Sequence, residues 1–217
     1  MKKVYFDSAA TTQLRDDVIT CITEVLKTEY GNPSSTHSYG RSSKSLLENA
    51  RKEIAKFFNV AASEIIFTSG GTEADNLILS SAVRDLGVKR IISSRIEHHA
   101  VLHTLEWLQK EHDIQLDFVK LDECGHVDYD HLEKLLKDTS QKTLVSLMHV
   151  NNEIGNLLDL KKVALMCKEH NALFHSDTVQ SVGHFELDFK DIPIDFATAA
   201  AHKFHGPKGA GFAFIRK

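Results

Sequence analysis

The chain has 217 residues, long enough to bury a sizeable core in one large domain or two small ones. Hydrophobic residues make up 42% and charged residues 26%, with 26 basic against 30 acidic side chains and a formal net charge of −4. This mild acidic balance gives no electrostatic footprint for nucleic acid or a membrane surface. No apolar run approaches the roughly 20 residues that a bilayer-spanning helix needs.

The N-terminal MKKVYFDSAATT (1–12) carries two lysines but no long apolar stretch behind them, and is not read as a secretory signal. In chain order, Val18, Ile19, Ile22 and Val25 form an apolar stripe that predicts a first helix. Leu46, Ala50, Ile54 and Phe58 predict a second. The Gly/Ser-rich YGNPSSTHSYGRSS (30–43) between them reads as a functional loop. Strands are predicted at 64–69, 90–96, 115–121, 143–150, 173–179, 196–202 and 209–217, several apolar almost throughout, as in strands covered on both faces. Helices are predicted between them from Ala74, Leu77, Ile78, Ala82 and Leu86, from Val101, Leu102, Leu105 and Leu108, from Leu132, Leu135 and Leu136, and from Leu160, Val163, Ala164 and Cys167 with Asp159 as N-cap.

This alternation predicts a three-layer α/β/α fold with a seven-stranded, mainly parallel sheet. KFHGPKG is too short for a parallel crossover, so the last strand is expected to be antiparallel. There is no internal repeat, low-complexity segment or domain-splitting linker. Cys21, Cys124 and Cys167 are widely separated, which argues for free thiols in a reducing cytoplasm rather than for disulfides or a metal site.

Ligands of open α/β sheets sit beyond the carboxyl ends of the strands, and the polar residues collect there. SGGTEADN (69–76) runs from the first strand into a helix. Gly71, Thr72 and the helix N-terminus make an anion cradle, although a plain tight turn would look similar. His98 and His99 are adjacent, so they point different ways and make a poor metal pair. One of them could stack on an aromatic ligand or exchange protons, or both could be surface residues. Asn151, Asn152 and Glu153 follow the fourth strand and could read a ligand or form a solvated turn. Asp177 lies in an apolar strand, where a carboxylate needs a cation such as a protonated pyridine, or backbone amides. Gln180 could reach a neighbouring ring oxygen. Lys203 directly follows an apolar strand among His202, His205 and a Gly-Pro turn. Partial burial and positive neighbours there favour the neutral, nucleophilic amine, whereas Lys208 sits in the turn itself.

Together these stretches resemble the class V, fold-type I pyridoxal-phosphate enzymes, specifically the cysteine desulfurases. The resemblance covers essentially the whole chain: YFDSAATT (5–12), YGNPSSTHSYGR (30–41), FTSGGTEADN (67–76), EHHAV (97–101), SLMHVNNEIG (146–155), HSDTVQSVG (175–183) and HKFHGPKGAG (202–211). It implies that Lys203 holds pyridoxal 5'-phosphate covalently and shuttles the α-proton. Asp177 would pair with the ring nitrogen, and His98 would stack on the ring and assist proton transfer. Asn152 and Gln180 would bond the phenolic oxygen, and Gly71, Thr72 and His202 the phosphate. No metal is implied.

The implied reaction converts L-cysteine to alanine and passes sulfur to an enzyme thiol, in a homodimer serving iron–sulfur cluster assembly with a possible acceptor or scaffold protein. Selenocysteine lyase, or a non-catalytic domain that binds the cofactor as a scaffold, are the alternatives. Residues 15–217 would form the cofactor-binding large domain and residues 1–14 would belong with a small domain. Two positions depart from the family's usual residues: Ala200 stands where a Ser is usual, and Thr178-Val179 where Ala-Thr is usual. The chain ends at Lys217, about half the length of such enzymes. The substrate-carboxylate arginine and the acceptor cysteine are therefore expected outside it, and the chain alone is not expected to complete desulfuration.

Overall fold

The computed structural model describes residues 2–217. Helices α1 (Asp16–Thr28) and α2 (Ser38–Phe57) come first. Then β1 (Ile65–Thr68), α3 (Gly71–Arg84), β2 (Arg90–Ser93), α4 (His99–His112), β3 (Gln115–Phe118), α5 (Tyr129–Leu136) and β4 (Thr143–Ser146) alternate regularly. The chain finishes with α6 (Leu160–Glu169), β5 (Leu173–Asp177), β6 (Phe196–Ala200), a short 3-10 turn (Ala201–Lys203) and β7 (Gly211–Ile215).

The seven strands form one sheet in the order β1-β7-β6-β5-β4-β2-β3. β2 to β6 pair in parallel, and β7 runs antiparallel to both of its neighbours, β6 and β1. The short KFHGPKG connection returns the chain as a hairpin, as its length demands. Because β1 opposes β7, it runs with β6, and the carboxyl ends of β1 to β6 share one edge of the sheet.

The sheet separates two apolar layers by the two-residue period of its strands. Ile92, Val145, Phe174, Phe212 and Phe214 face one side with α5, α6 and the end of α2, while Ile91, Leu144, Phe196 and Ala213 face the other with α3 and α4. On the first side Phe58 stacks on Phe189 at 4.9 Å and 7°, and Phe189 meets Phe214 at 4.9 Å. Asp159 caps α6 as expected, its carboxylate accepting the Lys162 amide at 2.9 Å.

Several sequence expectations are corrected. The strands are shorter than predicted, ending at Ser93, Phe118, Ser146 and Asp177, although Val119, Leu147 and His149 still donate to carbonyls of the neighbouring strands. Leu86 lies past the end of α3 and is exposed, and Leu77 is also exposed. The stripes on α1 and early α2 are present as helix faces but not as core: α1 buries no residue, and Leu46 and Ala50 are exposed. Periodicity reports that a face is apolar; it does not supply what covers it. No helix among the described residues is long and apolar enough to cross a membrane.

Phe189→Ala removes the middle ring of the Phe58–Phe189–Phe214 stack and is expected to cost about 3–5 kcal/mol in urea unfolding. A loss below about 1 kcal/mol would mean that the stack contributes little beyond filling space.

Candidate functional site

At the shared strand edge lies a pocket of about 270 Å³, lined by Ala10, Gly71, Thr72, Asp75, His98, Asn152, Asp177, Val179, Gln180, Ala200, His202 and Lys203. All eight residues singled out in the sequence therefore line one cavity. They come from five strand ends, those of β1, β2, β4, β5 and β6, which is the physical reason they are scattered along the chain.

The β1–α3 turn supplies one end. Gly70 precedes the helix without a side-chain cap, leaving the first-turn amides of α3 free to meet an anion. Gly71 is required by packing: a Cβ there would stand 2.6 Å from Val179 Cγ2. Glu73 reaches back to the Ser69 amide at 2.6 Å, which pins the turn. His202 adds a ring whose Nδ1 lies 3.2 Å from Thr11 Oγ1. Burial, and then the charges of Lys203 and Lys208, lower its pKa and favour the neutral ring.

The opposite end is built on β5. Asp177 is 6% exposed, and its Oδ1 accepts the Val179 amide at 2.9 Å. Burial first, and then the charge of Asp75, push its carboxyl up to about 7, against weaker lowering by the Val179 amide, His175 and His98. A carboxylate so placed is best satisfied by a cation or a proton-bearing ring nitrogen.

Lys203 follows β6 and is half-buried. Burial lowers its pKa, while Asp177 and Asp7 partly restore it. Its ammonium donates to the Ala9 carbonyl, which Gln180 Nε2 also meets at 2.9 Å. The N-terminal segment is held there by Thr12, whose amide and hydroxyl both donate to the His202 carbonyl at 2.8 and 2.9 Å, and by the His205 amide, which donates to Thr12 Oγ1 at 2.7 Å.

His98 is the N-cap of α4, its Nδ1 accepting the Ala100 amide at 3.1 Å. A neutral ring therefore carries its proton on Nε2. The two neighbouring asparagines divide their work. Asn151 is buried and structural, donating to the Ile96 carbonyl at 2.7 Å and accepting the Glu153 and Ile154 amides. Asn152 is the one that lines the pocket.

The sequence reading missed Asp75. It is 1% exposed, and burial raises its carboxyl to about 7. Its Oδ1 lies 3.3 Å from His175 Nε2, and His175 Nδ1 is 2.9 Å from Ser146 Oγ. The readable signal was a carboxylate beside Ala74, Ile78 and Ala82 on the apolar stripe of α3. Behind this pair, burial lifts Glu97 to about 8 although the Ser94 hydroxyl donates to it at 2.6 Å.

These shifts fix the sign of a pH effect. A carboxyl with a raised folded-state pKa keeps a proton that the unfolded chain has released. Its contribution is complete below about 4 and is lost as pH climbs through the folded value. His149 and His175, pushed down to about 4 by burial, act with the opposite sign, but only below about 6.5. Between about pH 6.5 and 8 the carboxyls of Asp75, Asp177 and Glu97 remain. Unfolding free energy should fall across that window, by up to about 1.4 kcal/mol per pH unit for each retained proton. Glu97→Gln should flatten the upper part of the curve. Urea titrations that gave a flat wild-type profile would show that these carboxyls ionise as freely as in the unfolded chain.

Comparison with known proteins identifies the family of the chain. Residues 4–217 match the family Aminotransferase class-V. The cysteine desulfurase IscS of Dictyoglomus turgidum is 42% identical over 219 residues, covering 100% of this chain and 55% of that protein. The putative cysteine desulfurase IscS 1 of Bacillus subtilis is 40% identical, covering 100% and 57%. Among solved structures, a NifS-like protein superposes with a TM-score of 0.92 at 38% identity, covering 100% of this chain and 60% of that one. SspA in complex with cysteine superposes at 0.90 with 30% identity, covering 97% and 60%. The chain spans about half the length of the curated relatives it matches. It belongs to the class-V aminotransferase family, whose cysteine desulfurase branch depends on pyridoxal phosphate.

Proposed function

We propose that this chain is the cofactor-binding part of a cysteine desulfurase, acting on L-cysteine with pyridoxal 5'-phosphate. The observation that carries the reading is a half-buried amine and a buried carboxylate, Lys203 and Asp177, lining one pocket with a free helix N-terminus at its other end. The residues present fit the group. A phosphate suits the first-turn amides of α3 with Thr72 and His202, a ring nitrogen suits Asp177, and an aldehyde suits Lys203.

When bound, the cofactor supplies an electron sink for bond cleavage at the substrate's α-carbon. The chain's own residues do the rest. Lys203, with its pKa lowered by burial, presents more neutral amine than a surface lysine and can take up and return a proton at Nζ. Asp177 would hold the ring nitrogen in its protonated form, the positive charge offsetting the cost of burying its carboxylate. His98, whose Nδ1 accepts the Ala100 amide, would face the ring with Nε2, and Asn152 and Gln180 would meet its phenolic side. Lys203 Nζ, which donates to the Ala9 carbonyl, would have to leave it to reach a bound aldehyde. Ala200 offers no hydroxyl to the phosphate end, which leaves that end to the helix amides, Thr72 and His202.

A homodimer in a reducing cytoplasm, a separate sulfur acceptor and a role in iron–sulfur cluster assembly belong to the same proposal. The relatives' printed activity, cysteine desulfurase, supports the sulfur chemistry, and three cysteines free of disulfides suit a reducing compartment. Residues 1–14 are assigned in it to a small domain that otherwise lies outside this chain.

Added pyridoxal phosphate is expected to give a visible absorbance band that survives gel filtration and is fixed by borohydride. Lys203→Ala should abolish it, and an unchanged band in that variant would pass the role to another amine such as Lys208. L-Cysteine should perturb the band without sustained release of sulfide. A band indifferent to L-cysteine would favour the scaffold reading.

A further inference from the structure

On the outer side of the pocket, His99 and His103 stand one turn apart in α4, both exposed. Their rings are stacked with centroids 5.1 Å apart and planes at 27°. They border an open groove of about 360 Å³ together with Trp107, and the groove shares Thr72 and His98 with the cofactor pocket. His98 is turned back to cap the helix, so the adjacent pair His98–His99 does not chelate. The pair four residues apart has the spacing that places two imidazoles over one helix face.

In the stacked arrangement the two ring planes do not converge on a common point, so the pair takes up an ion by turning both rings about their side-chain torsions until one nitrogen of each lies about 2.1 Å from it. Imidazole donors suit copper, nickel and zinc. No cluster of three or more His, Cys, Asp or Glu suited to a metal occurs among the described residues, so the remaining coordination positions are left to water. The site lies in the first turn of α4, where the helix dipole slightly opposes a cation.

We propose that His99 and His103 form a two-imidazole site for a divalent transition ion, Cu²⁺ most strongly and Zn²⁺ or Ni²⁺ less so, at the rim of the cofactor pocket. The site is independent of the cofactor and of the reaction proposed above.

Trp107 is the chain's single tryptophan and lines this groove, so it reports on the site directly. Titrating the cofactor-free chain with Cu²⁺ should quench its fluorescence to saturation at one equivalent, and excess Zn²⁺ should restore the emission. His99→Ala and His103→Ala should each weaken the titration about tenfold or more while circular dichroism stays unchanged. His112→Ala should leave it unaltered, although the His112 ring lies only 5.6 Å from that of Trp107. Lys203→Ala should also titrate like the parent, which separates the ion site from the cofactor site. The proposal is overturned if either His99→Ala or His103→Ala binds like the parent, or if quenching is lost in His112→Ala instead.

Discussion

A carboxylate at the covered end of a parallel strand must be answered by a positive or proton-bearing group, and the pocket is arranged around that demand. Asp177 ends β5 at the middle of the sheet, with β4 and β6 on either side and α3 packed above it. One backbone amide, from Val179, bonds it, while the nearby Asp75 carboxyl pushes its pKa the wrong way for an anion. Three buried carboxyls and two neutral histidines in one region would be a poor way to build a core. A cluster of perturbed titratable groups around one cavity marks a candidate functional site rather than a packed core.

The other wall is the N-terminal segment. Thr12 is bonded twice to the His202 carbonyl, and Ala9 offers its carbonyl to both Lys203 and Gln180. The chain therefore brings its first dozen residues across to its last sixteen, and the amine is held by that carbonyl. Contacts spanning so much sequence cost loop-closure entropy. They persist because each bond at His202 and Thr12 also serves a backbone group that would otherwise be orphaned at the strand edge.

Toward α1 and early α2 the picture changes. Their apolar faces, including Ile19, Leu26, Leu46 and Leu47, are exposed among the described residues, in contrast to α3 and α4, which are sealed against the sheet by Ala74, Ile78, Val101 and Leu105. A helix that follows a strand in a parallel crossover is returned onto the sheet by the connection itself, whereas a helix preceding the first strand is under no such constraint.

The local pattern determined a good deal. Alternating apolar runs and helical stripes required a covered, mainly parallel sheet. A seven-residue connection required an antiparallel last strand, and Asp159 had to start α6. A lysine, an aspartate and a Gly-Gly-Thr turn at strand ends marked the ligand edge before any geometry was known. Only the tertiary structure decided which polar residue at each strand end enters the pocket. It sent Asn151 into the protein to bond Ile96 while Asn152 faced the cavity, and it brought Asp75 from an apolar-looking helix stripe beneath Asp177. It also tied Ala9 to Lys203 across the whole chain. The reason is physical: periodicity along one element records which face is buried, but the depth, partner and charge of a buried group are set by the elements packed against it, and those are distant in sequence.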